Sequence, residues 1–234
     1  TLNEPSPYRL QNSWHFSAAG MAAVWATDNT RSQIFAAMKR RETYATTGPR
    51  MTVRFFGGWD YDAEAATRHD FVDVGYRGGV PMGGDLTSPP NRRPPRFLVR
   101  AVKDPHGANL DRVQMIKGWR DANGDLPEQV YDVALSDDRR PDASGQVAAV
   151  GSTVDITTAS YRNSIGDPEL AAFWEDPDFD PAELAFYYAR VIEIPTPRWT
   201  AYDAAYYGIT NPPEKAPLVT QDRAYTSPIW YTPN

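Results

Sequence analysis

Residues Thr30–Arg50 read TRSQIFAAMKRRETYATTGPR. Thr30 followed three positions later by Gln33 has the form of a capping box, in which each side chain meets an orphan backbone N–H of the other. Ile34, Phe35 and Met38 then fall on one stripe of a 3.6-residue period, which predicts an amphipathic helix. Burying those three side chains is worth roughly 1.5–3 kcal/mol each. Lys39, Arg40 and Arg41 place positive charge where the helix macrodipole is negative. After them Tyr44–Thr47 is rich in β-formers, Gly48-Pro49 punctuates, and Met51–Phe56 reads as a strand. Taken alone, this is a well-made helix feeding a sheet.

Upstream, Thr1–Gly20 has little periodicity and reads as a loop. Met21–Ala26 is a short apolar run, expected to be a buried strand that forms a strand–helix–strand unit with the helix. Downstream of Met51 the chain changes to short strands between Gly- and Pro-rich turns, an all-β pattern. Met51, Val53 and Phe55 share one face, Asp62–Ala66 suggests a helical turn, and Val74–Pro95 reads as a long surface loop. Phe97, Val99 and Ala101 alternate with Leu98, Arg100 and Val102 in the next strand. Arg112–Trp119 and Gln129–Leu135 flank Asn123-Gly124, which predicts a β-hairpin. Val147–Ile156 is expected to form a strand pair, or a strand with a turn at Gly151. Asp167-Pro168-Glu169 resembles a helix start running to Trp174, and Asp180-Pro181 opens barely a turn. Ala185–Ile194, apolar on both faces apart from Arg190 and Glu193, should be a central strand ending at Pro195. Pro197–Pro217 looks loop-rich, and Ser227–Tyr231 supplies a last strand.

The 234 residues, 41% hydrophobic and 23% charged, allow one or two domains with a sizeable core. No apolar run approaches the roughly 18 residues of a membrane span. A net charge of −6 and a pI near 5.1 argue against a nucleic-acid partner. The absence of cysteine excludes disulfides, thiolate catalysis and zinc fingers, and leaves the compartment open. The start at Thr1, without an initiator Met or a signal peptide, fits an excised piece of a longer protein.

Chemistry-bearing residues are sparse. His15, His69 and His106 are far apart in sequence and make a local metal cluster hard to build, so no metal ligand is assigned in this chain. GVPMGGDL lacks the strand–loop–helix context of a phosphate cradle and reads as a structural turn. Asp121, Asn123 and Asp125 match the first three ligand positions of a calcium loop, but Leu126 replaces the required Gly and Asp132 the bidentate Glu; a plain hairpin turn competes. Arg31, Arg41 and Arg50 bracket the strand–helix unit and are candidate substrate-binding residues, because Arg captures phosphate or carboxylate bidentately; solvated helix-end charges are the other reading. No catalytic residue is identified. Tyr202, Tyr206 and Tyr207 are candidates for an exposed aromatic platform.

GMAAVWATDNTRSQIFAAMKRRETYATTGPRMTVRFFGGWD (Gly20–Asp60), GVPMGGDL (Gly79–Leu86), DRVQMIKGW (Asp111–Trp119) and VYDVALSD (Val130–Asp137) closely resemble the late part of the bacterial domain of unknown function family 3604. The likeness continues through FWEDPDFDPAELAFYYARVIEIPTPRW (Phe173–Trp199) and TSPIWYTP (Thr226–Pro233). That family is regarded as a relative of the PHP (polymerase and histidinol phosphatase) metallohydrolases. The resemblance implies a longer parent protein whose His- and Asp-rich motifs bind a divalent metal, zinc or manganese, upstream of this chain, so the chain looks like the last third of such a protein. It further implies a mainly β fold with a short α/β segment, in which residues 1–50 close an incomplete PHP-like barrel and residues 51–234 form an accessory β-sandwich. The implied activity is that of a metal-dependent hydrolase acting on phosphoester-type bonds, with the isolated chain inactive and the missing barrel as its partner. The alternative is a non-catalytic β-sandwich module that recognises a glycan or a protein. Either way, Ile34, Phe35 and Met38 are expected to pack on the sandwich or on a second copy of the chain.

Overall fold

A computed structural model describes residues 13–16, 19–87 and 93–233. In chain order the strands and helices begin with β1 (Met21–Val24), α1 (Arg31–Lys39), β2 (Thr43–Thr46), β3 (Thr52–Gly58), α2 (Phe71–Gly78), β4 (Gly79–Pro81), β5 (Asp85–Leu86) and β6 (Arg96–Val102). They continue with β7 (Leu110–Arg120), β8 (Glu128–Leu135), β9 (Glu169–Glu175), β10 (Leu184–Glu193) and β11 (Thr196–Pro197). Last come α3 (Trp199–Tyr207), β12 (Val219–Thr220), β13 (Arg223–Thr226) and β14 (Ile229–Tyr231). The fold is mainly β, with antiparallel sheets and three helices among the described residues.

β10 is the hub. One edge pairs along its whole length with β7, which continues into β8. Its other edge is shared: Arg190–Ile192 pair with β13 and Ala185–Tyr187 with β14. β13 leads to β2 and β1, and β14 to the parallel β5, completing an eight-stranded sheet. A second sheet, ordered β4-β3-β6-β9, lies against it. Val53, Phe55, Phe97, Val99 and Leu170 from this sheet and Val113, Met115, Tyr187, Val191 and Ile229 from the larger one form a single buried core. Alternation drives the arrangement, since odd-numbered residues of β10 face the core and even-numbered ones face outward. The smaller sheet is buried on both faces, because Phe56 and Leu98 on its outer side are covered by Phe71 of α2 and by Ala65 and Ala66 of a 3-10 turn.

Several expectations hold. The hairpin forms, with Gly124 at φ +87° and the Asp121 carboxylate accepting from the backbone N–H groups of Asn123 and Asp125. The central strand, the last strand, the alternation in β6 and the helical turn near Asp62 all appear.

Others are corrected. Residues 169–175 form strand β9 instead of a helix, because Leu170 and Ala172 alternate into the core while the backbone completes a ladder with β6. Residues 147–156 form no strand beyond an isolated bridge between Asp155 and Ser160. The expected loop after Val74 holds most of α2 and the short strands β4 and β5; its residues 88–92 lie outside the described residues. The Pro197–Pro217 stretch contains α3, stopped by Gly208 in the left-handed conformation at φ +64°. β1 forms, but as a sheet edge with Met21 and Ala22 exposed, and so is not a buried strand. Of the predicted N-terminal loop, residues 1–12 and 17–18 lie outside the described residues. β2 pairs with β13, so the segment before residue 50 is hydrogen-bonded into the same sheet as the C-terminal strands.

Candidate functional site

The least satisfied element is α1. Thr30 caps it by accepting from the Gln33 backbone N–H at 3.4 Å, while the Gln33 side chain accepts from the Thr27 hydroxyl, so the reciprocal half of the capping box is not made. At the other end Glu42 N–H bonds to the Ala37 carbonyl and Arg41 N–H to that of Met38, a Schellman motif. The left-handed position of that motif, normally glycine, is Arg41 at φ +61°. Gly83, itself at φ +83°, passes so close beneath it that an added Cβ would stand 2.2 Å from the Arg41 carbonyl oxygen.

Ala37 is the one fully buried residue of α1. Phe35 is 61% and Met38 52% exposed, and with Arg31 and the half-buried Ile34 they line an open apolar hollow. The expectation that this stripe packs on the sandwich is therefore overturned for the single chain. The reason is topological: α1 lies in the connection that joins the paired strands β1 and β2 at the end of the large sheet, and the core cluster between the sheets includes none of its residues.

The segment just after α1 is tightly held. Glu42, 2% exposed, receives the Tyr76 hydroxyl and the Arg40 guanidinium, with Arg54 at 3.7 Å. Burial and the Glu42 carboxylate raise the Tyr76 pKa. Arg54 also stacks 3.3 Å from the Trp25 ring centre, and the Trp25 indole donates to the Val53 carbonyl at 2.9 Å. The helix thus projects from a rigid base.

The three candidate arginines share no hydrogen-bond partner among the described residues. Arg31 is exposed on the first turn of α1 beside the apolar hollow. Arg41 pairs with Asp85 at 2.5 Å, both side chains being largely exposed. Arg50 is held through its backbone N–H, which donates to Asp104 at 2.7 Å. His15, His69 and His106 are each exposed on separate segments. Among the described residues no group of three or more His, Cys, Asp or Glu side chains is placed to hold a metal ion, so the donor set present does not fit a catalytic metal. Tyr202, Tyr206 and Tyr207 are exposed on α3, with Tyr206 and Tyr207 edge to face.

Two buried polar groups carry no motif in the sequence. The Lys117 ammonium contacts Asp176 at 2.7 Å and the Asp178 carbonyl at 2.7 Å, and Tyr187 donates to the same Asp176 carboxylate at 2.7 Å. Burial, then the Asp176 charge, drives the Tyr187 phenol far above its ordinary range. Glu193, 1% exposed, has one carboxylate oxygen without a hydrogen-bond partner. Burial, with repulsion from Asp222 and Asp104, pushes its pKa up to about 8. Period-2 counting is the signal that finds both, since Lys117 falls in register with Val113 and Met115, and Glu193 with Tyr187 and Val191.

Among the described residues no helix is long and apolar enough to cross a membrane. No curated protein and no solved structure matches the chain. The family model described as protein of unknown function (DUF3604) matches residues 1–233, nearly the whole sequence, and the chain belongs to that family.

Proposed function

We propose that this chain serves as the docking and supporting part of a PHP-like, metal-dependent hydrolase of the phosphoesterase type, whose metal ligands lie outside these 234 residues. The observation that carries the reading is the open stripe of Ile34, Phe35 and Met38 on a helix that is well capped and rigidly based. A helix stabilised at both ends, with its apolar face to water, is built to receive another surface. Arg31 beside that stripe and Arg41, held in a conformation that favours glycine, would stand at the seam and reach an anionic substrate group. In this reading the segment from Met21 to Thr46 closes the barrel and the sheets behind it are accessory.

The test is reconstitution. The chain is mixed with the separately produced His- and Asp-rich region of the family loaded with zinc or manganese, and association and phosphodiester hydrolysis are measured. The expected result is a complex that Phe35→Ser/Met38→Ser weakens by tenfold or more, about 1.4 kcal/mol, with hydrolysis falling in parallel. Association that ignores this double substitution removes α1 from the seam; no hydrolysis of any phosphoester by the assembled complex removes the catalytic reading.

A further inference from the structure

The outward face of the large sheet carries a second feature, independent of α1. Cross-strand register places Glu128 of β8, Gly118 of β7, Phe186 of β10 and Trp230 of β14 in one row. An added Cβ on Gly118 would lie 2.3 Å from Cζ of Phe186, so the end of the ring occupies the space a side chain at Gly118 would fill. This leaves a concave pocket of about 470 Å³, closed at the hairpin end by Leu126 and Arg120. Trp230 is 42% exposed there, on a face where an antiparallel sheet ordinarily presents polar residues to water. The aromatic surface runs on beyond the pocket. Ring centres step 5.3 Å from Trp230 to Phe186, 6.4 Å to Tyr188 and 6.5 Å to Tyr225.

We propose that this pocket binds a neutral carbohydrate, one sugar ring stacked on the exposed Trp230, with Phe186, tilted 49° to it, as the adjoining wall, and further rings following the aromatic stripe. The rim decides the ligand class. Arg120 and Glu128 both line the pocket, and among the described residues neither makes an ion pair or a side-chain hydrogen bond. One cation and one anion sum to no net charge, so an anionic ligand meets Glu128 and a cationic one meets Arg120. An aliphatic chain would strip water from both without replacing its hydrogen bonds. Sugar hydroxyls donate and accept at once and satisfy both, and Thr232 also lines the pocket. The C–H face of a pyranose matches an aromatic ring in size, and a pocket of this volume with few polar groups is typical of small-ligand sites.

The experiment is calorimetric titration of the chain with cello-, xylo-, malto- and chito-pentaose, with adenosine as the flat aromatic control and sedimentation run alongside. Saturable binding of at least one oligosaccharide is expected. Trp230→Ala should weaken it about tenfold or more at unchanged melting temperature, while Trp230→Phe retains most of it. Arg120→Met should weaken it with the ring stack intact. No binding across the series overturns the proposal, as does binding indifferent to Trp230→Ala. Trp230-dependent binding of adenosine alone, or a Trp230-dependent dimer that excludes sugar, would likewise overturn it in favour of an aromatic ligand or a protein interface.

Discussion

β10 and α1 stand at opposite ends of a scale of satisfaction. β10 is paired on both edges, and its inward residues Tyr187, Ala189 and Val191 are wholly buried. Even the ammonium beside it, that of Lys117, has a carboxylate and a carbonyl as partners. α1 is well capped, yet contributes only Ala37 to the interior and leaves Phe35 and Met38 in water. The contrast teaches that helix formation and helix burial are separate decisions. Caps and periodicity settle the first locally, whereas the second depends on whether the sheet order leaves a face to cover.

The sharpest way to break the comparison is at the hub. Lys117→Met leaves the Asp176 carboxylate buried without its cation and should cost about 3–5 kcal/mol in a denaturant titration. Adding Asp176→Asn, which keeps an acceptor for Tyr187, should recover much of that loss. A single variant as stable as its parent would show that the pair contributes nothing to the core.

Glu193 gives the next effect, and its sign follows from the raised pKa. The folded state keeps a proton that the unfolded chain, with its usual value near 4.5, has released. Stability should therefore fall as pH rises from about 4.5 to about 8 and level off above, by up to a few kcal/mol. Glu193→Gln, neutral at every pH, should flatten that slope and melt higher than the parent at pH 8. An unchanged slope in the variant would locate the titrating group elsewhere.

The smallest effect belongs to α1. Phe35→Ser/Met38→Ser should change the stability of the isolated chain by no more than about 0.5 kcal/mol, because both side chains are more than half exposed. A larger loss that depends on protein concentration in a melting series would show that a second copy supplies the cover.

Local signals suffice wherever the physics is local. The Thr30 cap, the Asn123-Gly124 turn and the alternation in β6 each arise from a few neighbouring residues. Residues 169–175 mislead a local reading because Asp167-Pro168-Glu169 satisfies helix-start chemistry, while the β6 edge that captures the segment lies about seventy residues away in sequence. α3 is hard to see in the sequence because prolines on both sides of Trp199–Tyr207 mark the ends of a helix as readily as a loop.

For the candidate sites, the sequence by itself determined the family and offered Arg31, Arg41 and Arg50 as candidates. Only the tertiary structure decided that the apolar stripe of α1 faces water, and that Gly118, Phe186 and Trp230, from three strands, build one pocket. The physical reason is range. Caps, turns and periodicity are set by contacts a few residues apart, whereas burial and pocket formation depend on which distant strands share an edge, a choice made by the summed packing of the whole core.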